Sequence, residues 1–220
     1  LGHLYASEAY LSMQDILLEF IRDKAYETSI ALAIEKGPFP AFDAERWLSS
    51  GFSQSLSGEL RHGIETKGLR NGLLLSIAPT GTISLCADNV SSGIEPVFAH
   101  NQKRKVNMPQ GQIEEELKDY AYANNNVEGR VSSDISPQEH IDVLCRAQAY
   151  VDSSVSKTCN FNGGSTSFKE FQDLYVRAHK GGAKGCTTFN LNGKRGAILV
   201  DASQEATCYV DEGGQKVCVE

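Results

Sequence analysis

Residues 154–191 have the sequence SVSKTCNFNGGSTSFKEFQDLYVRAHKGGAKGCTTFNL, and this stretch decides the fold of the 220-residue chain. Both of its ends are rich in β-forming residues. Between them, Ser167 with Glu170 three positions later forms a capping box that predicts the start of an amphipathic helix, which ends at Gly181 and Gly182. A strand, a helix and a second strand in this order predict a parallel βαβ unit. The fold class is therefore predicted to be α/β.

Other segments predict further helices and strands around this unit. A long helix is expected over residues 7–36, and a second capping box at Ser136 predicts another helix. Residues 72–78, GLLLSIA, are typical of a strand that is buried on both faces. Residues 53–68 are predicted to be an exposed polar connection, and a polar helix is expected near residues 112–123.

The composition excludes several classes of protein. The chain has 21 basic and 28 acidic residues, a net charge of −7, so no overall basic field is available for a nucleic-acid partner. The basic run at residues 102–105 is expected to be a solvated face. Because the sequence has no apolar segment of about 20 residues and no signal peptide, no membrane partner is expected and the location is predicted to be cytoplasmic. The chain lacks an initial Met and is interpreted as part of a longer protein.

A turn of small residues follows the predicted strand 72–78. Its residues are Ala78, Pro79, Thr80, Gly81, Thr82 and Ile83. If a helix begins at Thr80 or Gly81, its first backbone N–H groups have no partner within the helix and attract an anion, which predicts a phosphate site. The alternative is that Thr80 merely caps a short helix. Neither a Walker loop nor a GxGxxG motif is present.

The six cysteines fall into two groups. Cys86, Cys145, Cys159 and Cys186 have mostly apolar or small neighbours and are expected to lie in the core. Cys208 and Cys218 lie in a polar, glycine-containing segment in which two thiols can meet and oxidise. Their spacing does not match that of zinc ligands, and no metal site is predicted.

Several motifs together resemble one family. LRNGLLLSIAPTGTISLCADNVSSGIEP at residues 69–96 is similar to a segment of the ribonucleotide reductase large subunit. YETSIALAIEKGPFP upstream, and SPQEHIDVLCRAQAYVDSSVSKTCNF and AHKGGAKGCTTF downstream, follow in the same order as in that family. The resemblance covers about residues 1–199.

The resemblance implies a fold and an activity. Members of this family fold as a ten-stranded α/β barrel and reduce ribonucleotides to deoxyribonucleotides by radical chemistry. Residues 1–199 would supply the C-terminal part of the barrel, and residues 200–220 would form a flexible tail with redox cysteines.

The resemblance also implies roles for particular residues. The loop of Ala78, Pro79, Thr80, Gly81, Thr82 and Ile83 would bind the substrate phosphates. The tail pair Cys208 and Cys218 would receive reducing equivalents from thioredoxin or glutaredoxin and pass them to the active site. Glu95, in the Gly-Ile-Glu-Pro element, is interpreted as mainly structural because one carboxylate without a visible partner is a weak catalytic signal.

The family's radical-carrying cysteine stands in an Asn-x-Cys-x-Glu setting that this chain lacks, so catalysis would require the N-terminal part of the enzyme. The sequences of the turn and of the GAKGCTTF segment are most similar to those of the enzymes that use adenosylcobalamin. A radical supplied by a separate di-metal subunit is the alternative. There are two alternatives to an enzyme. One is an inert module that binds nucleotide phosphates, and the other is a structural barrel half that needs a partner chain.

Overall fold

The computed structural model describes residues 1–109, 111–190, 199–201, 207–210 and 216–219. The helices are α1 (Glu8–Lys36), α2 (Ala44–Leu48), α3 (Gly58–Lys67), α4 (Gly81–Cys86), α5 (Tyr120–Asn125), α6 (Pro137–Gln148) and α7 (Phe168–Lys180). The strands are β1 (Asn101–Met108), β2 (Gly111–Lys118), β3 (Thr158–Phe161), β4 (Thr187–Asn190), β5 (Leu199–Asp201), β6 (Thr207–Val210) and β7 (Lys216–Val219). Short 3₁₀ turns span Phe52–Ser55 and Ser132–Asp134.

The predicted βαβ unit is confirmed. Strands β3 and β4 pair in parallel, with Cys159 opposite Thr188, and α7 connects them. Both capping boxes form as the sequence predicts, and α6 and α7 pack together over β3. The core between these elements consists of Ile141, Leu144, Ala147, Val151, Val155, Cys159, Leu174 and Ala178. The α/β class is therefore correct.

The interpretation of residues 53–68 as an exposed connection is wrong. This stretch contains the helix α3, and Leu60 and Ile64 on one face of α3 are buried against α1. Tyr26 of α1 and Leu69 complete the same apolar cluster. Leu60 and Ile64 lie four residues apart and therefore share one helix face, but the many polar residues around them make this apolar pattern hard to recognise in the sequence.

Two further predictions need correction. Residues 112–123 contain β2 and then α5, because all eight residues of β2 pair antiparallel with β1 and tertiary pairing overrides helix propensity. Residues 72–78 form only one isolated bridge, from Ile77 to Val155, and Leu73 is 69% exposed. This segment is therefore extended, but it is not a strand buried on both faces.

The described strands form three separate sheets. The first has the order β2-β1-β5, the second is β3-β4, and the third is the hairpin β6-β7. Within the described residues no sheet closes into a barrel. In the first sheet the basic run of β1 lies in register with the acidic run of β2, with Lys103 opposite Glu116. Gln102 of this run is buried and Lys103 is half-buried, so the expectation of a solvated face does not hold for these two residues.

The long helix α1 leaves an apolar stripe uncovered. Ile16, Leu17, Phe20 and Ile21 are each between 45% and 62% exposed. The buried face of α1 carries Leu11, Tyr26 and Ala33, which pack inside this chain. No helix among the described residues has the length and apolar character needed to cross a membrane.

Candidate functional site

The turn of residues 78–83 is held at the end of an extended segment beside β3. The Ile77 N–H donates to the Ser154 carbonyl over 3.2 Å, and the Ile77 carbonyl accepts from the Ser156 N–H over 2.8 Å. Upstream, the Asp152 carboxylate accepts the N–H groups of Leu74 and Leu75 over 2.7 and 2.9 Å. The Asp152 carboxylate and the short parallel contact at Ile77 thus take the place of a full ladder of hydrogen bonds between strands. They determine where the turn begins.

Thr80 sits in the left-handed region, with φ 51° and ψ 17°, immediately before α4. Its side chain makes no capping hydrogen bond to α4. Instead, Thr80 Oγ1 accepts the N–H of Gly93 over 2.7 Å. Thr80 therefore occupies the N-cap position of α4, as the alternative expects, but its hydroxyl does not cap the helix and instead joins the turn to a loop that lies 13 positions later.

The first N–H groups of α4 have no acceptor within the described part of the chain. Ser84 N–H donates to the Thr80 carbonyl over 2.8 Å, which leaves the N–H groups of Gly81, Thr82 and Ile83 at the start of the helix. These three residues are exposed, and the Ile83 side chain is 68% exposed. Three successive unpaired donors can bind a small anion by donating to it.

Gly93 makes a close approach that only glycine allows. Its φ is +57°, and a Cβ at this position would lie 2.8 Å from the Ala78 carbonyl oxygen. The backbone at Gly93 therefore lies directly against the beginning of the turn. Together with the hydrogen bond from the Gly93 N–H to Thr80, this packing fixes the position of the turn.

An ion pair between a buried lysine and a half-buried glutamate lies next to this loop. Lys157 is 2% exposed, and its ammonium contacts the Glu95 Oε2 atom at 2.5 Å. The other Glu95 oxygen accepts the Thr158 N–H over 2.5 Å. Burial lowers the pKa of Lys157, while the Glu95 carboxylate opposes that shift. Glu95 thus has a partner that the sequence did not reveal, so the absence of a partner no longer supports its interpretation as mainly structural.

His140 is the third member of this buried cluster. Its Nδ1 atom lies 2.8 Å from the Lys157 ammonium, which donates to it and therefore assigns the ring proton to Nε2. Burial, with a further contribution from the Lys157 charge, lowers the pKa of His140 to about 3. The ring is neutral at neutral pH. Its Nε2 atom is buried and has no hydrogen-bond partner among the described residues.

The predicted core cysteines are only partly in the core. Cys159 is buried, Cys145 and Cys186 are half-buried, and Cys86 is exposed because it ends the short helix α4, whose buried residue is Ser84. Burial raises the pKa of Cys159 to about 12 and also raises the pKa values of Cys145 and Cys186. Such thiols are poor nucleophiles at neutral pH. No set of metal-binding side chains occurs among the described residues.

The two tail cysteines occupy paired backbone positions in the antiparallel strands β6 and β7. In the register of these strands Cys208 lies opposite Cys218. Directly opposed positions in an antiparallel pair have Cα atoms about 4.5–5.5 Å apart, which is within the range that a disulfide spans. The backbone thus brings together two residues that the sequence separates by nine others.

Sequence reasoning missed Lys157, Gly93 and Asp152 as parts of the site. A lysine within a run of β-forming residues is one usable signal, since a charged side chain on a core strand requires a partner. The contacts of Gly93 with Thr80 and of Asp152 with Leu74 have no local signature. They depend on segments that are distant in sequence.

Comparison with known proteins gives a family match and several relatives. The family model described as "Ribonucleotide reductase, barrel domain" matches residues 1–189. The chain is 29% identical to the vitamin B12-dependent ribonucleoside-diphosphate reductase of Mycobacterium tuberculosis (strain CDC 1551 / Oshkosh), over 92% of this chain and 31% of the relative. It is also 29% identical to the protein of that name from Thermoplasma acidophilum, over 91% of this chain and 28% of the relative.

A relative with a different name shows a weaker similarity. The ribonucleoside-diphosphate reductase subunit alpha of Treponema pallidum is 26% identical over 82% of this chain and 21% of the relative. The chain therefore spans less than a third of the length of these curated relatives. Because the family model covers most of its residues, the chain belongs to the ribonucleotide reductase barrel-domain family.

Proposed function

We propose that this chain is the C-terminal part of the barrel of a ribonucleotide reductase and that residues 78–83 bind the phosphates of the ribonucleotide. The family match over residues 1–189 is the observation that carries this proposal. The exposed, unpaired N–H groups of Gly81, Thr82 and Ile83 support the position of the phosphates. Substrate binding in this form uses backbone donors and the Thr82 hydroxyl and needs no basic side chain.

The reaction proposed for the whole enzyme is a two-electron reduction by thiyl-radical chemistry. A ribonucleotide loses its 2′-hydroxyl as water, and a dithiol of the enzyme supplies two electrons and two protons and becomes a disulfide. We place that active-site dithiol and the radical cysteine on the N-terminal part of the reductase.

The tail pair Cys208 and Cys218 is proposed to renew the reductant. Its dithiol would reduce the active-site disulfide by thiol–disulfide exchange and would itself become a disulfide, which thioredoxin or glutaredoxin then reduces. The opposed register of the two residues supports the closure of a Cys208–Cys218 disulfide in one half of this cycle. Residues 200–220 are accordingly proposed to act as a redox tail, whose first residues, Val200 and Asp201, pair with β1.

Adenosylcobalamin is proposed as the source of the radical, because relatives with greater similarity to the chain are named as vitamin B12-dependent enzymes. One cavity of about 580 Å³ beside α4 is lined by Leu85, Asp88, Asn89, Glu115, Glu116, Leu117 and Lys118. Its three carboxylates fit a corrin poorly, because cofactor sites are mostly apolar with few charged groups. We therefore place the cofactor on the preceding part of the enzyme. The alternative radical source is a separate di-metal subunit.

The test combines this chain with the preceding part of the reductase and measures the reduction of cytidine diphosphate. We expect product only when adenosylcobalamin is present. Thr82→Val should raise KM about tenfold through the loss of a phosphate donor, whereas Thr28→Val, on the exposed face of α1, should not. Reduction that instead requires a metal-bearing subunit would contradict the cobalamin assignment. Absence of product under both conditions would favour an inert phosphate-binding module or a structural barrel half.

The tail is tested by the double variant Cys208→Ser with Cys218→Ser. We expect turnover driven by thioredoxin to fall to background, because no dithiol remains to carry electrons inward. A small dithiol, dithiothreitol, should still support turnover because it reaches the active site directly. Turnover with thioredoxin that survives in the double variant would show that the tail has no such role.

A further inference from the structure

Lys157 has an unusually complete set of contacts for a buried lysine. Its ammonium has three N–H groups, and three acceptors surround it: Glu95 Oε2 at 2.5 Å, His140 Nδ1 at 2.8 Å and the Thr158 carbonyl at 2.8 Å. The Tyr5 ring covers it, with its centroid 5.9 Å from Nζ. An ammonium with every donor used in a buried site has a single orientation.

From these contacts we infer that Lys157 is a positioning residue that holds the phosphate turn in its binding shape through Glu95 and Gly93. The inference rests on the proposed function, since it concerns the same turn. Lys157 lies behind the turn and takes no part in the chemistry.

The path from Lys157 to the turn is short and continuous. The carboxylate of Glu95 is fixed by Lys157 and by the Thr158 N–H. Two residues before Glu95, the Gly93 N–H binds Thr80 Oγ1 over 2.7 Å, and the Gly93 backbone lies against the Ala78 carbonyl. A movement of Glu95 therefore reaches the first half of the turn, at Ala78 and Thr80.

The loop between Gly93 and Glu95 transmits such a movement because it is closed on itself. The Glu95 carbonyl accepts the Ser91 hydroxyl over 2.6 Å, and the Glu95 N–H donates to the Ser92 carbonyl over 3.0 Å. The Ile94 carbonyl accepts the Tyr5 hydroxyl over 2.5 Å. The loop moves as a unit when the carboxylate of Glu95 loses its partner.

Stability alone does not explain a buried ion pair at this place. Loss of one partner of such a pair destabilises a protein strongly, whereas replacement of both partners by well-packed hydrophobic residues of similar volume is often nearly neutral. If Lys157 only stabilised the fold, the neutral double variant Lys157→Met with Glu95→Gln would behave as the wild type. If Lys157 positions the turn, the double variant regains stability but the turn stays loose.

The first measurement needs no nucleotide. Hydrogen exchange of the Gly93 amide is followed by NMR in the full 220-residue chain, as wild type, as Lys157→Met and as the double variant. We expect the amide to exchange about tenfold faster in both variants, because its bond to Thr80 Oγ1 opens more often. Arg146→Met is the matched control, since it removes another ion pair, with Asp15, away from this loop. The control should leave Gly93 exchange unchanged.

The second measurement uses the reductase assembled from this chain and its preceding part. We expect the double variant to raise KM for cytidine diphosphate about tenfold while kcat stays within about twofold, because only substrate binding depends on the shape of the turn. A wild-type Gly93 exchange rate and a wild-type KM in the double variant would overturn the inference. If the wild-type assembly reduces no ribonucleotide, the proposed function fails, and Gly93 exchange still decides whether Lys157 holds the turn.

Discussion

Substitution of Gly93 by alanine tests the geometry that supports the phosphate turn. Gly93 has φ +57°, and an added Cβ would lie 2.8 Å from the Ala78 carbonyl oxygen, 3.7 Å from the Pro79 carbonyl oxygen and 3.9 Å from Ile77 Cγ2. Two costs follow. The left-handed backbone penalises any Cβ, and the contact with a backbone oxygen forces the loop away from the turn.

Gly182 provides the matched control for the first cost. It has φ +82°, and a Cβ there would meet nothing within 4 Å. We therefore expect Gly182→Ala to lower the free energy of unfolding by about 1–2 kcal/mol, the cost of the left-handed conformation alone. Gly93→Ala should lower it by about 2–3 kcal/mol more, through the steric displacement and the weakened bond from the Gly93 N–H to Thr80 Oγ1.

The assay is urea unfolding of the two variants and the wild type, followed by circular dichroism and fitted with a common slope. In the assembled reductase, Gly93→Ala should also raise KM for the ribonucleotide, whereas Gly182→Ala should leave it unchanged. Equal losses of unfolding free energy in the two variants would refute the reasoning. That result would mean that the approach of Gly93 to the Ala78 carbonyl is not a real constraint on the turn.

Two further predictions concern side chains around the site. Tyr26→Phe removes the hydroxyl that donates to Asp152 over 2.7 Å and should cost about 1–2 kcal/mol in urea unfolding; a loss below about 0.5 kcal/mol would contradict a structural role for this bond. The hydrogen bond from the Arg130 guanidinium to the Glu139 carboxylate lowers the pKa of Glu139 to about 2 from the ordinary 4.5. The ionised Glu139 therefore stabilises the folded state above pH 4.5, and this contribution disappears as the pH falls towards 2. Glu139→Gln should therefore lower the melting temperature at pH 6 but not near pH 2, and an equal decrease at both values would disprove the linkage.

Local elements could be predicted from the sequence because their signals lie within a few residues. The Ser167 box with Glu170, and the glycines that follow α7, determine the ends of that helix through hydrogen bonds to adjacent backbone. The same local rules fail for β2, where pairing with β1 decides the conformation, and for α3, where one buried face is set by contact with α1.

The family resemblance located the turn, but it did not reveal what supports it. Threonine is a residue type that commonly caps helices, yet the Thr80 hydroxyl accepts the N–H of Gly93, because the chain returns to the turn at Gly93. Glu95 has no partner in its own segment and finds Lys157 62 positions later, where β3 begins. Neither contact follows from propensity or spacing.

The sequence by itself determined the α/β class, the helices with capping boxes, the turn of small residues and the family. Those features depend on backbone conformation and on hydrogen bonds between near neighbours, which the order of residues fixes directly. Only the tertiary structure decided that Gly93 presses on the turn and that Lys157, Glu95 and His140 form one buried cluster. A buried charge is tolerated only where distant segments supply its partners, and packing alone brings those segments together.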